Sequence, residues 1–210
     1  MSREHFIAHN PSHFLKTDPI VKTFIISECF FCAASNLITP LFAVFVVENV
    51  YQGSIELAAS GFSTYLISRV VFELITGSLW AKGSDRKKMV LVTIGFLITS
   101  AAYLGFCYSQ NITQIFLFYI VLGAGIGIAT PTKNSLFSMH LDKNKEATEW
   151  SIADATAAIC MALATALGGF IAASYGFRVL FVLAAWVNLI AIVPYFLIYI
   201  KKKKPHHHVT

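Results

Sequence analysis

The run STYLISRVVFELITG, residues 63–77, holds Arg69 and Glu73 four residues apart in an otherwise apolar stretch. On a helix that spacing puts both side chains on one face, where they can pair. Such a pair has two uses. It can be a neutralised couple that lowers the cost of burial and ties helices together. It can also line a water-filled path or a subunit interface, where protonation of the carboxyl lets the guanidinium change partner. Glu28 and Asp154 are two more carboxylates in apolar surroundings. Each can carry a proton or hydrogen-bond a neighbouring helix. Glu28, Glu73 and Asp154 are therefore the candidates for proton coupling. Arg69 is their charge partner and the first contact for an anionic ligand.

A second set of polar residues surrounds two prolines. Asn36 and Thr39 flank Pro40, and Thr130 and Asn134 flank Pro131. A proline deep in a helix frees a carbonyl and bends the axis. The four side chains can bind a solute there, or merely cap freed carbonyls. Lys133 and Glu149 read as membrane-edge residues with topological roles, and Trp150 and Trp186 as interfacial or packing residues. Enzymatic chemistry finds no footing. There is no H-E-x-x-H and no G-x-S-x-G, no phosphate-cradling loop, and no metal-ligating cluster. No catalytic residue, metal or cofactor is expected. Cys29 and Cys32 form a C-x-x-C within a predicted helix and read as small packing residues.

The elements that must hold these residues follow from composition. Of 210 residues 56% are hydrophobic and 13% charged; soluble domains carry about 25% charged residues. Mean hydropathy is +0.66. A membrane helix needs about 20 mainly apolar residues. Six stretches qualify, near 23–47, 56–80, 89–109, 112–139, 147–174 and 177–200. The fold class is an all-α integral membrane protein, since the runs are long and lack the period of two that a barrel needs.

Fourteen of the sixteen Lys and Arg fall in the N-terminal segment, the 81–88 and 133–146 turns, and the tail. The opposite loops, 48–55 and 109–111, have none. Positive charge stays in the cytoplasm, so both termini are expected there. The net charge of +5 belongs to this topology and not to nucleic acid. The Lys201–Lys204 cluster is suited to anionic lipid headgroups.

Thr39-Pro40 and Thr130-Pro131 fall at corresponding depths of the first and fourth helices. The pattern predicts two three-helix units, 23–109 and 110–200, inverted with respect to each other. A cytoplasmic segment, 1–22, precedes them and a basic tail, 201–210, follows. Ionisable residues favour the first and second helix of each unit, while the third and sixth are greasy. The greasy pair should face lipid and the other four an interior or a partner.

This layout resembles the major facilitator superfamily of secondary transporters, whose halves are six helices built as inverted triplets. GSLWAKGSDRKKMVL resembles the family's loop after the second helix, through Gly77, Asp85, Arg86, Lys87 and Lys88. LGAGIGIATP resembles its Gly-rich fourth helix, and ALGGFIAASYGFRVLF its Gly-Gly segment with a Gly-aromatic-Arg turn. The resemblance implies a gating role for the 77–88 stretch, a small-molecule substrate and alternating access. The family normally has twelve helices, so the resemblance implies a half-size member, expected to work as a parallel homodimer, with a hetero-partner or a truncated or split chain as the other ways to complete it; a prokaryotic inner membrane is the expected location. The alternative is a non-transporting assembly subunit on the same fold.

Overall fold

The structure is a computed structural model that describes residues 18–80 and 82–203, with backbone alone for Trp80 and for residues 201–203. Most of the expected cytoplasmic lead-in, and the end of the tail from Lys204, lie outside the described residues. Six helical rods appear: α1 (Pro19–Asn49), α2 (Ile55–Ile75), α3 (Asp85–Cys107), α4 (Ile112–Ser138), α5 (Glu146–Tyr175) and α6 (Phe177–Ile200). All except α2 are long and apolar enough to cross a membrane. Helix α2 carries Ser60, Ser63, Thr64, Ser68, Arg69 and Glu73. Three of these hydroxyls are spent on backbone carbonyls: Ser63 donates to Ala59, Thr64 to Ser60, and Ser68 across to Ile120 of α4.

Local chemistry sets the helix ends. The Asp18 carboxylate accepts from the Ile20 amide at 2.6 Å, with Pro19 at the first helical position. Ser54 and Asn111 cap α2 and α4 in the same way. Asp85 opens α3, so Asp85, Arg86, Lys87 and Lys88 occupy its first turn and not a loop. Gly176 alone separates α5 from α6, at φ +81°. Only glycine adopts that conformation at little cost.

The two prolines act differently. At Pro40 the missing N–H breaks α1 into a 3-10 turn over Thr39–Leu41. Pro131 lies within an α4 that runs unbroken from Ile112 to Ser138. A second break falls at Ala191, three residues before Pro194, where Ser27 of α1 donates to the Ala191 carbonyl at 2.7 Å.

The most extensive packing joins α3 to α4, α2 to α4, α1 to α5, α3 to α6 and α1 to α6. Exchanging α1 with α4, α2 with α5 and α3 with α6 maps this set onto itself. Lipid gives apolar helices no hydrophobic reason to associate, so close backbone contact and buried hydrogen bonds must hold them. Gly123 and Gly127 seat α4 on the backbone of α2. A Cβ at Gly123 would lie 2.6 Å from the Tyr65 carbonyl oxygen, and one at Gly127 would lie 2.7 Å from that of Arg69. On another side of α4, Gly125 meets Gly95 of α3 with equal closeness. Asn188 of α6 donates to the Phe96 carbonyl and to the Ser100 hydroxyl of α3, both at 2.8 Å.

The expected division of labour among the helices is seen only in part, since apolar side chains of α2 and α5 are also exposed. Val90, Ile94, Leu97 and Leu104 make an exposed apolar stripe on α3, and Val179, Leu183, Trp186 and Ile190 one on α6. Helix α5 differs, with only 17% of its most apolar stretch buried, against 50% for α3 and for α4. A wide face of α5 is thus left open.

Gly127→Leu should drive a side chain into the α2 backbone, where overpacking costs about 1–3 kcal/mol or more. Gly169→Leu meets nothing within 4 Å and should be neutral. Melting temperatures of the two variants in detergent check this: the first is expected to fall by several degrees, the second to match the parent.

Candidate functional site

A cavity of about 450 Å³ opens between α1, α2, α4 and α5. No residue of α3 or α6 lines it. Glu28 and Asn36 reach it from α1, Arg69 from α2, Thr130, Lys133 and Asn134 from α4, and Asp154 from α5. Four elements thus bring together seven polar residues that lie as far as 126 positions apart in the chain.

The centre of the site is an ion pair between the Lys133 ammonium and the Glu28 carboxylate, linking α4 to α1. Lys133 is only 3% exposed, which a cation tolerates inside a bundle only when paired. Two aromatic faces add to its support. The ammonium lies 4.6 Å from the centroid of the Phe31 ring and 5.6 Å from that of Phe24. The other carboxylate oxygen of Glu28 accepts a weak bond from the Cys32 thiol at 3.5 Å. Lys133 was expected at the membrane edge. In the structure its helix turns it inward, where it is buried and paired with Glu28.

Arg69 and Glu73 pair at 3.2 Å, as their spacing requires. Arg69 faces the cavity, whereas Glu73 does not line it. The carboxylate tied to the cavity's deepest cation is Glu28. Asp154 lies at the exposed rim and makes no hydrogen bond or ion pair among the described residues.

The residues around the prolines divide. Asn36 donates to the Cys32 carbonyl at 2.9 Å and Thr39 to the Ser35 carbonyl at 2.8 Å, so these two cap backbone. Thr130 and Asn134 line the cavity without such bonds. Thr39 lines a separate aromatic cleft. Pro40 and Pro131 line neither space.

At the end of the bundle where α3 begins, charged groups clasp the helices. Asp85 pairs with His140 beyond α4 at 3.2 Å. Lys88 donates to Ser135 of α4 at 2.9 Å, and Arg86 lies 5.3 Å from the Tyr199 ring centroid of α6. Lys87 is exposed, and nothing approaches the Cβ position of Gly77. Glu149 accepts from the Asp142 amide at 3.0 Å, closing the turn before α5.

Sequence reasoning passed over Phe24, Phe31, Tyr65 and Trp150 as cavity walls. Their signal was faint, because aromatics are everywhere in this chain. Phe24 and Phe31 could have been found from Glu28, by reading one turn either way along its helix face.

Three comparisons bear on this arrangement. The sequence model of the Major Facilitator Superfamily matches residues 24–210. The multidrug resistance protein MdtG of Dickeya zeae (strain Ech586) is 28% identical over 166 residues, which cover 77% of this chain and 40% of that protein. The in meso crystal structure of the POT family transporter PepTSo matches with a TM-score of 0.74 at 15% identity, over 85% of this chain and 37% of that one. At that identity the likeness is one of fold. The chain spans about two fifths of the length of either relative.

Lys133→Met should strand the Glu28 carboxylate and destabilise the fold by about 2–4 kcal/mol. The double change Glu28→Gln with Lys133→Met should recover at least half of that loss. Unfolding of the single and double variants in detergent reads the coupling, and additive losses would show that the pair contributes nothing.

Proposed function

The chain belongs to the Major Facilitator Superfamily, and from that premise we propose that it forms half of a proton-coupled secondary transporter for a small organic solute. The observation that carries this reading is the single cavity in which Glu28, Lys133, Arg69 and Asp154 meet, with the two greasy helices excluded from its wall. Charge at bilayer depth is costly unless it meets water or a counter-charge. A water-accessible, charge-balanced cavity between helices is what solute passage needs.

The chain is an integral membrane protein. We propose a bacterial inner-membrane location with both termini in the cytoplasm, and the distribution of Lys and Arg among its turns supports that orientation. We also retain the division into two inverted three-helix units, 23–109 and 110–200, which the exchange symmetry of the packing supports. Helices α2 and α5 both line the cavity but make no extensive contact with each other, so we place its open side between them. A second copy in the same orientation supplies that wall, with a twofold axis along the membrane normal. Rocking of one copy against the other, with the bent α1 and the glycine-lined α4 at their interface, exposes the cavity to each side in turn. The name of the MdtG relative points to drug-like molecules as the solute.

The chemistry follows from the ion pair. With Glu28 ionised, Lys133 is held and its charge is cancelled. A proton on Glu28 removes that cancellation and leaves Lys133 to seek Asp154, Asn134 or an anionic group of the solute. Proton and solute thus compete for one neutralised centre, which couples their movements. Glu73 serves as the anchor of Arg69. Gly77 and the Asp85–Lys88 turn form the gate, opening when the Asp85–His140 and Lys88–Ser135 contacts part.

The test is solute-driven proton movement in liposomes with a trapped pH-sensitive dye, using solutes first selected by thermal shift. The parent chain is expected to move protons with its solute, and Glu28→Gln to lower that coupling at least tenfold while still binding the solute. Proton movement unchanged in folded Glu28→Gln protein would overturn the coupling role. Native mass spectrometry from lipid discs is expected to give twice the 23.2 kDa chain mass. A monomer that still transports would overturn the homodimer.

A further inference from the structure

We propose that the aromatic cleft beside the bend of α1 is a second binding site, which takes a single phenol-like ring. The inference goes beyond the transport reading and does not depend on it.

The cleft has a volume of about 170 Å³. An apolar cavity of about 150 Å³ is large enough to hold benzene. Five rings, Phe42, Tyr65, Tyr103, Phe106 and Tyr119, line it among eleven residues, and all five are buried. These rings already contact one another at ring-ring distances. Phe42 lies 4.8 Å from both Phe106 and Tyr119, Phe106 lies 5.1 Å from Tyr119, and Tyr65 lies 6.2 Å from Tyr119. Two of these contacts, Phe42–Phe106 and Phe106–Tyr119, are edge to face, an arrangement that aromatic quadrupoles prefer. One more ring in the vacant space gains such contacts from several sides without displacing a side chain.

The wall is not uniformly apolar. The Ser35 and Tyr103 hydroxyls lie 3.1 Å apart at its edge. A hydroxyl carries one donor and two acceptor sites, so their mutual bond leaves capacity for a ligand hydroxyl. The polar edge also gives the cleft a direction. Ser35, Tyr65 and Ile126 line both this cleft and the charged cavity. A molecule whose ring fills the cleft therefore keeps any tail beside Arg69 and the Glu28–Lys133 pair. Thr39, on the 3-10 turn, stands at the exposed edge of the cleft. Occupancy thus bears directly on the turn that bends α1.

The experiment uses the full chain in lipid discs, with 4-fluorophenol and 4-fluorotoluene followed by fluorine NMR against empty discs. Saturable binding of both probes at about 1 mM or tighter is expected for ligands of this size. Thr39→Phe and Leu122→Phe each place a ring in the space and should weaken both probes at least tenfold. Tyr103→Phe should weaken 4-fluorophenol alone. Asp154→Asn, which transport is expected to need, should leave both probes bound as in the parent. The proposal is overturned if the parent shows no saturable binding above empty discs. It is also overturned if both filling variants, with melting temperatures like the parent, bind as well as it does. Loss of probe binding in folded Asp154→Asn protein would place the probe in the charged cavity and overturn it too. A failure of transport with probe binding intact leaves the cleft standing.

Discussion

An ionised side chain inside a membrane bundle must meet a counter-charge or water, and this constraint organises the molecule. Lys133 shows it most sharply. A cation that is 3% exposed persists because Glu28 neutralises it and two phenyl faces flank it. Once that pair is in place, α1 and α4 must present their polar residues to a common space. Helices α2 and α5 then bring Arg69 and Asp154 to the same space, and α3 and α6 contribute no residue to its wall.

Packing supplies the precision that the charges need. Helices α1 and α4 themselves touch little; each is held by other partners. Helix α4 lies against α2 and α3 through Gly123, Gly127 and Gly125, and α1 lies against α5 and α6. In membranes such contacts work by close approach and not by exclusion of water. The glycines at 123 and 127 bear on the backbone of Tyr65, Arg69 and Glu73, so the same contact that packs α4 sets the depth and aim of Arg69. The Glu28–Lys133 pair bridges a gap between two well-packed groups of helices.

Much of this was legible in the sequence, because membrane physics writes large. The helices follow from apolar length, the Arg69–Glu73 pair from its spacing, and the excluded α3 and α6 from their lack of charge. Glu28, Arg69, Thr130, Asn134, Asn36 and Asp154 were all singled out, and all reach one cavity. What the sequence hid was partnership. Lys133 sits near Lys143 and Lys145 in the chain, and charge counting groups it with them. Only the helical phase of an unbroken α4 turns it inward to a carboxylate 105 residues away. Thr-Pro appears twice, yet only Pro40 breaks its helix, because tertiary context decides whether a freed carbonyl is tolerated in place. The aromatic cleft was equally hidden, since rings spread over four helices leave no local pattern.

The central claim is that the charged residues face water inside the bundle and not acyl chains. Single cysteines at positions 36, 69, 134 and 154, in a chain whose four native cysteines are replaced, can be reacted in intact membranes with a charged, membrane-impermeant thiol reagent. Cysteines at 97 and 183, on the exposed stripes of α3 and α6, serve as the comparison. The account expects modification at the first four positions and protection at the other two. Protection at all four cavity positions, with labelling there only by a lipid-soluble reagent, would contradict it.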